Sequence, residues 1–134
     1  MSALIEEFKK DHSEIIEAFK EVEELGVLTK EGQTKFMFLA VDLLKHLWNE
    51  DKLLYPAIRE AAEHNKMLKE VLSFFVNGLG NIHEEMLIFF TKYSKGVIDS
   101  NFQREYERLF DALSTRIEYE ENILYDEYEK LNIL

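Results

Sequence analysis

The sequence has no cysteine, and it has only one proline and five glycines among 134 residues. The lack of cysteine excludes disulfide bonds, thiolate metal sites, iron–sulfur clusters and cysteine nucleophiles, and it fits a reducing cytoplasm. Since proline and glycine are the main helix breakers, their scarcity predicts long helices. No run approaches the roughly 20 apolar residues that a membrane-spanning helix needs, and no signal-peptide pattern opens the chain. We therefore expect a cytoplasmic protein outside the membrane.

Basic residues are also few, because 16 Lys and Arg stand against 27 Asp and Glu, which gives a formal net charge of -11. Such a surface repels nucleic acid and anionic membranes, and neither is expected as a partner. The acidity is typical of solvated helix faces, and it also gives a field that favours cations. The sequence contains no glycine-rich phosphate loop, nucleophile elbow or basic aromatic patch, so no catalytic residue is assigned.

What the sequence does contain is apolar residues at steps of three and four, which predict amphipathic helices. Four such segments lie at about residues 3–25, 33–62, 66–94 and 101–131. Short loops between long helices favour antiparallel neighbours. We therefore predict an all-α fold, an antiparallel up-down-up-down four-helix bundle, with residues 1–134 forming a single domain. Pro56 lies within the second segment and is expected to kink it just after Glu50.

Each apolar stripe is interrupted near its middle by polar or ionisable residues. They are His12 in the first segment, His46 and Glu50 in the second, His83 in the third, and Arg116 and Glu120 in the fourth. At ~1.5 Å per helical residue, their distances from the neighbouring loops place them at one height to within about one turn. Uncompensated charges in a core cost several kcal/mol each, so these groups are expected to satisfy one another or to bind an ion.

The chain also repeats on itself. The run Glu50-Asp51-Lys52-Leu53-Leu54-Tyr55 returns 70 residues later as Glu120-Glu121-Asn122-Ile123-Leu124-Tyr125. With this offset His46 falls on Arg116, and His12 falls beside His83, as expected for a helix pair used twice. The spacing His-x-x-x-Glu puts both side chains on one helix face, one turn apart. Imidazole and carboxylate together suit iron, with zinc and manganese as further candidates.

These motifs resemble the hemerythrin-like (HHE cation-binding) domains over nearly the whole chain. The resemblance is carried by Asp11-His12, by His46-x-x-x-Glu50 with Leu54-Tyr55-Pro56, by His83-Glu84, and by Glu120-Glu121 with Leu124-Tyr125. Members of that family hold a non-haem diiron centre in a four-helix bundle, and they bind oxygen, respond to oxygen or iron, or handle nitric oxide and damaged iron–sulfur clusters. The resemblance implies His12, His46 and His83 as terminal ligands and Glu50 and Glu120 as bridging carboxylates.

Two positions depart from the family pattern. Arg116 stands where the fourth-helix histidine is expected, and Leu87 stands where oxygen carriers place a second third-helix histidine. Arginine keeps its charge and cannot be a metal ligand. Three interpretations of Arg116 remain open. It swings outward and leaves an open position, with Glu84, Tyr119, Glu121 and Tyr125 as substitute ligands; it pairs with a glutamate and replaces the second ion; or it neutralises the carboxylates of a metal-free core.

The expected function is therefore binding of non-haem iron, as two ions or as one if Arg116 replaces the second. The bound iron would handle or sense a small ligand such as oxygen, nitric oxide or peroxide. The alternative is a metal-free regulatory or interaction bundle whose metal site has decayed. An enzyme such as an oxidase or repair protein stays open, but the sequence selects no substrate and no protein partner.

Overall fold

The computed structural model of the protein describes residues 2–79 and 81–131, which are helical apart from short connections. These residues form an all-α four-helix bundle. Helix α1 spans Ala3–Leu25, and α2 runs over residues 30–62. The third helix of the bundle is divided into α3, residues 66–78, and α4, Ile82–Tyr93. Helix α5, the fourth helix of the bundle, runs over residues 102–131. The four predicted segments are thus confirmed, whereas their up-down-up-down direction stays a prediction.

The interruption between α3 and α4 was not predicted. Asn81 begins the next helix, because its side-chain oxygen accepts the backbone N–H of Glu84 at 3.1 Å and so caps the N-terminus of α4. Ser2 caps α1, because its side-chain oxygen accepts the backbone N–H of Ile5 at 3.2 Å. At the start of α5, Asn101 makes no side-chain capping bond. None of the helices described is both long and apolar enough to cross a membrane.

The core consists of two apolar clusters separated along the helices by polar side chains. One cluster contains Phe19, Leu43, Met86 and Leu109, and it is rich in aromatic rings. The other, toward the opposite end of the bundle, consists of Ile5, Phe8, Leu54, Tyr55, Ile58, Ala62, Leu68, Phe75, Leu124 and Tyr125. Along α1, α2 and α5, the polar residues fall between the positions of these clusters. The bundle therefore holds a buried polar layer between two apolar ones.

Helices α2 and α5 both change geometry at this layer. Each contains a five-residue π-helical segment, Glu50–Leu54 in α2 and Glu120–Leu124 in α5, at equivalent positions of the repeat. The π-helical segment of α2 begins where a kink was expected from Pro56, and the kink itself stays a prediction. Pro56 is not the sole cause of this segment, because the segment in α5 forms with Asp126 at the equivalent position. Single π turns within α-helices are frequent at functional sites, where they redirect a side chain.

Candidate metal centre

Four polar side chains converge in the buried layer. His12 comes from α1, His46 and Glu50 from α2, and Glu120 from α5, and each is at most 3% exposed. Each offers one nitrogen or oxygen atom, and these four atoms all lie within 4.8 Å of one another. The structure thus brings together four of the five residues that the sequence nominated as ligands. We call this group the tetrad.

The π-helical segments place the two glutamates. The backbone N–H of Tyr55 donates to the carbonyl of Glu50, five residues earlier, which is the hydrogen bond of a π turn. The Glu50 side chain then lies beside His46, with Oε1 3.3 Å from Nε2. In α5, Glu120 sits equally at the start of its segment, and its Oε1 lies 3.3 Å from Nε2 of His12. Each tetrad histidine therefore faces one tetrad carboxylate.

Both tetrad histidines are oriented by a second carboxylate on their other nitrogen. Nδ1 of His12 lies 2.7 Å from Oε2 of Glu121, and Nδ1 of His46 lies 2.9 Å from Oδ2 of Asp11. With the Nδ1 proton donated outward, Nε2 of each ring is left facing the centre. Such carboxylate–histidine pairs typically fix the ring and the tautomer of metal ligands. Sequence reasoning missed this role, although Asp11 adjoins His12 and Glu121 adjoins Glu120.

His83, the fifth nominated ligand, lies outside the tetrad. Its side chain is 37% exposed, and its Nδ1 lies 2.9 Å from Oδ2 of Asp51. This pair repeats the His12–Glu121 pair, because Asp51 and Glu121 are equivalent in the repeat. His83 lines a cavity of about 450 Å³ that Glu50 and Arg116 also line. Its role as a ligand stays a prediction.

Arg116 points into the bundle, not outward. Its side chain is 11% exposed, and its Nε lies 3.4 Å from Oε2 of Glu120. Nη2 donates to the hydroxyl of Tyr55 at 2.7 Å, and Nη1 donates to the backbone carbonyl of Phe75 at 3.4 Å. The outward interpretation therefore does not describe this structure. The guanidinium is held where it neutralises Glu120.

Three buried atoms of the centre lack a hydrogen-bond partner among the residues described: His46 Nε2, Arg116 Nε and Glu120 Oε2. Each lies within 3.4 Å of an oppositely charged group without forming a hydrogen bond. A buried polar atom without a partner costs about 1–3 kcal/mol. His46 and Glu120 therefore present two unsatisfied ligand atoms in a dry layer, which is the arrangement expected of a site that receives a cation.

The electrostatics of the tetrad also favour positive charge. Burial lowers the pKa of His46, but the neighbouring Glu50 and Asp11 outweigh burial and raise that pKa to about 9. Burial likewise lowers the pKa of His12, and Glu120 and Glu50 more than compensate, so the net shift is upward. Burial and the charge of Glu50 raise the pKa of Glu120, whereas the two histidines outweigh burial at Glu50 and lower its pKa. Glu120 and the two histidines of this buried layer thus retain protons that a metal ion would displace.

The tyrosines at equivalent positions of the repeat make different contacts. The hydroxyl of Tyr125 donates to Oε2 of Glu50 at 2.7 Å and lies 3.1 Å from Nε2 of His12. The hydroxyl of Tyr55 instead accepts from Arg116. Tyr125 therefore contacts the tetrad, whereas Tyr55 contacts Arg116.

A comparison with models of protein families identifies the family of this chain. The model of the Hemerythrin HHE cation binding domain matches residues 3–128. The chain belongs to this family. Neither the curated proteins nor the solved structures include a match to the chain.

The residues present fit the metal that HHE membership implies. Two imidazoles and two carboxylates form a mixed nitrogen and oxygen donor set that suits iron, manganese or zinc. Both imidazoles are braced by outer carboxylates, and two donor atoms have no other partner. The arginine is the departure from the HHE pattern, because it brings a fixed positive charge to one end of the tetrad.

Proposed function

We propose that the chain binds one non-haem iron ion at His12, His46, Glu50 and Glu120, and that the bound iron handles or senses a small ligand such as oxygen, nitric oxide or peroxide. The observation that carries the proposal is the tetrad itself. Its four ligand atoms lie within 4.8 Å of one another, and two of its buried atoms lack any hydrogen-bond partner within residues 2–79 and 81–131. The HHE family match supports metal binding in general.

The proposed stoichiometry of one ion follows from Arg116. Its guanidinium lies against Glu120, on the side of the tetrad where the repeat would place the second set of ligands. A second cation there would face a permanent positive charge at short range in a dry layer, which is strongly unfavourable. Arg116 also has no lone pair to offer an ion. We therefore infer that the arginine replaces the second ion's charge.

Each residue of the centre has a role in this proposal. His12 and His46 present Nε2 because Glu121 and Asp11 hold their Nδ1 protons. Phe8 packs edge-on against His46, with ring centroids 5.3 Å apart, and helps to exclude water. The cavity beside Glu50 and Arg116 gives a small molecule a path to the tetrad from the side of α4. Iron held there would supply a redox-active centre for oxygen- and nitrogen-containing diatomics and peroxides.

Metal analysis of the protein loaded with iron tests the proposal. We expect about one iron per chain in the unaltered protein and about two in Arg116→His, which restores the missing histidine of the repeat. Binding below about 0.2 iron per chain under saturating iron would defeat the proposal. Nitric oxide added to the ferrous protein without oxygen should change its electronic spectrum, and an unchanged spectrum would remove the small-ligand part.

A metal-free regulatory or interaction bundle is the second candidate, and the Arg116–Glu120 ion pair favours it. In such a protein the arginine would balance one carboxylate and the histidines the other, so no ion would be needed. The same loading experiment separates the two candidates. The metal-free candidate requires that the unaltered protein takes up no iron, and that Arg116→His gains the ability to bind it.

A further inference from the structure

Tyr125 is the buried group closest to the tetrad whose role the proposed function leaves unassigned. Its side chain is 1% exposed, and its ring stacks on His12 with centroids 5.6 Å apart and planes 13° apart. Its hydroxyl lies 2.7 Å from Oε2 of Glu50 and 3.1 Å from Nε2 of His12. The phenolic oxygen therefore touches two tetrad members at once, on the inner side of both.

These distances are those of neighbouring ligands around one ion. Two donor atoms that each lie about 2.1 Å from a metal, at right angles, are about 3 Å apart. The tetrad pairs His12–Glu120 and His46–Glu50 have separations of 3.3 Å, and the Tyr125 contacts fall on either side of 3 Å. The hydroxyl is thus already placed at the spacing of a fifth ligand.

The hydrogen bonds of the buried layer also support a ligand role for Tyr125. His12 donates through Nδ1 to Glu121, so its Nε2 directs a lone pair toward the Tyr125 oxygen when the ring is neutral. Tyr125 has one proton and donates it to Glu50. When the ring is protonated, Nε2 instead donates to the Tyr125 oxygen at 3.1 Å. A metal ion bound by both atoms would take the place of that proton.

We propose that Tyr125 binds the iron ion through its phenolic oxygen, as a fifth protein ligand beside His12 and Glu50, and that it favours ferric iron over zinc. This inference rests on the proposed function. In the step, the Tyr125 O–H bond breaks, its proton passes to bulk water, and an oxygen–iron bond forms with no change of oxidation state. Phenolate is an established ligand of ferric iron in proteins.

The charges of the site accommodate this ligand. Without an ion, the phenol keeps its proton and donates it to Glu50 at 2.7 Å. A trivalent ion reverses the local field and favours the anionic oxygen. Two carboxylates and one phenolate then stand against the ferric ion and the guanidinium of Arg116. A trivalent ion attracts the anionic phenolate oxygen more strongly than a divalent ion such as zinc does, which is why the phenolate should discriminate between the two metals.

Tyr55 provides a matched control because it occupies the equivalent position of the repeat. It is also buried, at 4% exposure, but its oxygen accepts a hydrogen bond from Nη2 of Arg116 at 2.7 Å. An oxygen that faces a guanidinium is already satisfied. Tyr55→Phe therefore removes the same atom from the other half of the molecule without touching the proposed ligand.

The experiment compares the unaltered protein, Tyr125→Phe, Tyr125→His and Tyr55→Phe after loading with ferric iron. Bound iron is measured in each, together with the visible spectrum and resonance Raman scattering. We expect a phenolate-to-iron charge-transfer band with tyrosinate ring modes in the unaltered protein and in Tyr55→Phe. Both Tyr125 variants should bind iron without that band. In Tyr125→Phe, ferric affinity should fall about 10–100-fold while zinc affinity changes little.

Each outcome decides between the inference and its alternatives. Bound iron without the band in the unaltered protein, or a band that survives in Tyr125→Phe, overturns the role of Tyr125 and leaves the proposed function standing. Absence of bound iron in the unaltered protein overturns both. If Tyr125→Phe fails to fold, Tyr125→His carries the comparison, because it keeps a ligand at the position and must lose the band.

Discussion

The two halves of the repeat share a backbone design but differ in chemistry. Both place a glutamate at the start of a five-residue π-helical segment, and both hold a histidine against a carboxylate through Nδ1. In the first half, the side chains of His12 and His46 are each 3% exposed and face the centre. In the second, His83 is 37% exposed, and Arg116 occupies the position equivalent to His46. The two halves thus share a backbone scaffold, but the first carries two buried imidazoles and the second a largely buried guanidinium beside Glu120.

The difference between the two halves should have its largest effect on the iron affinity of histidine variants. His46→Ala removes a buried ligand atom, so we expect iron affinity to fall by more than about 100-fold, beyond the effect usual for supporting residues. His83→Ala should lower it by less than about threefold, because His83 lies outside the tetrad. Isothermal titration with ferrous iron under anaerobic conditions measures both. Equal losses in the two variants would mean that His83 is a ligand after all.

Arg116 is expected to control stability in the metal-free protein. Its removal in Arg116→Ala leaves Glu120 buried without its cation, which should cost roughly 3–5 kcal/mol in the free energy of unfolding. Arg59→Ala is the control, because Arg59 lines the same cavity but is exposed, and its loss should stay within about 0.5 kcal/mol. Urea denaturation at about pH 8 measures both. If Arg116→Ala is as stable as the control, the ion pair contributes nothing.

The raised pKa of His46 predicts a dependence of stability on pH in the metal-free protein. The folded protein holds a proton on His46 up to about pH 9, whereas the unfolded chain releases it near the ordinary histidine pKa of 6.5. This stabilisation is therefore complete below pH 6.5 and is lost as the pH rises through 9, by an amount on the order of 3 kcal/mol. Denaturation curves across this range should show the decline. His46→Gln, which cannot bind the proton, should flatten it.

Removal of a carboxylate that contacts a tetrad histidine should lower iron affinity more than removal of the carboxylate that contacts His83. Asp11→Asn and Glu121→Gln weaken the orientation of the tetrad imidazoles, so each should lower iron affinity by about 10–100-fold. Asp51→Asn is matched to Glu121→Gln by the repeat, and it should have little effect because its histidine lies outside the tetrad. Competition with a chromogenic chelator measures all three. A loss in Asp51→Asn as large as in Glu121→Gln would make the halves equivalent.

The smallest effect is expected at Pro56. The π-helical segment Glu120–Leu124 forms without a proline at the equivalent position, so Pro56→Ala should keep the segment Glu50–Leu54. We expect the free energy of unfolding to change by less than about 1 kcal/mol and iron affinity to be unchanged. Thermal denaturation and iron titration measure the two quantities. A large drop in affinity would show that the proline itself sets the position of Glu50.

Much of the centre was predictable because helices have a fixed period. Apolar residues at steps of three and four gave the helical segments, and their interruptions gave His12, His46, Glu50 and Glu120, which the structure brings together. His83 follows the same pattern along the chain, yet it lies on the cavity wall. Periodicity gives the face of a helix, but it does not say how deeply that face is inserted.

The sequence by itself determined the helices, the repeat and the identity of the buried polar residues, because each depends on residue type and spacing along one chain. Only the tertiary structure decided that Arg116 turns inward to Glu120, that Asp11 braces His46, and that Tyr125 reaches His12. These contacts join residues 4 to 113 positions apart, and several side-chain rotamers would satisfy the same pattern. Packing of the neighbouring helices selects one of them, because a dry layer leaves each polar atom few partners.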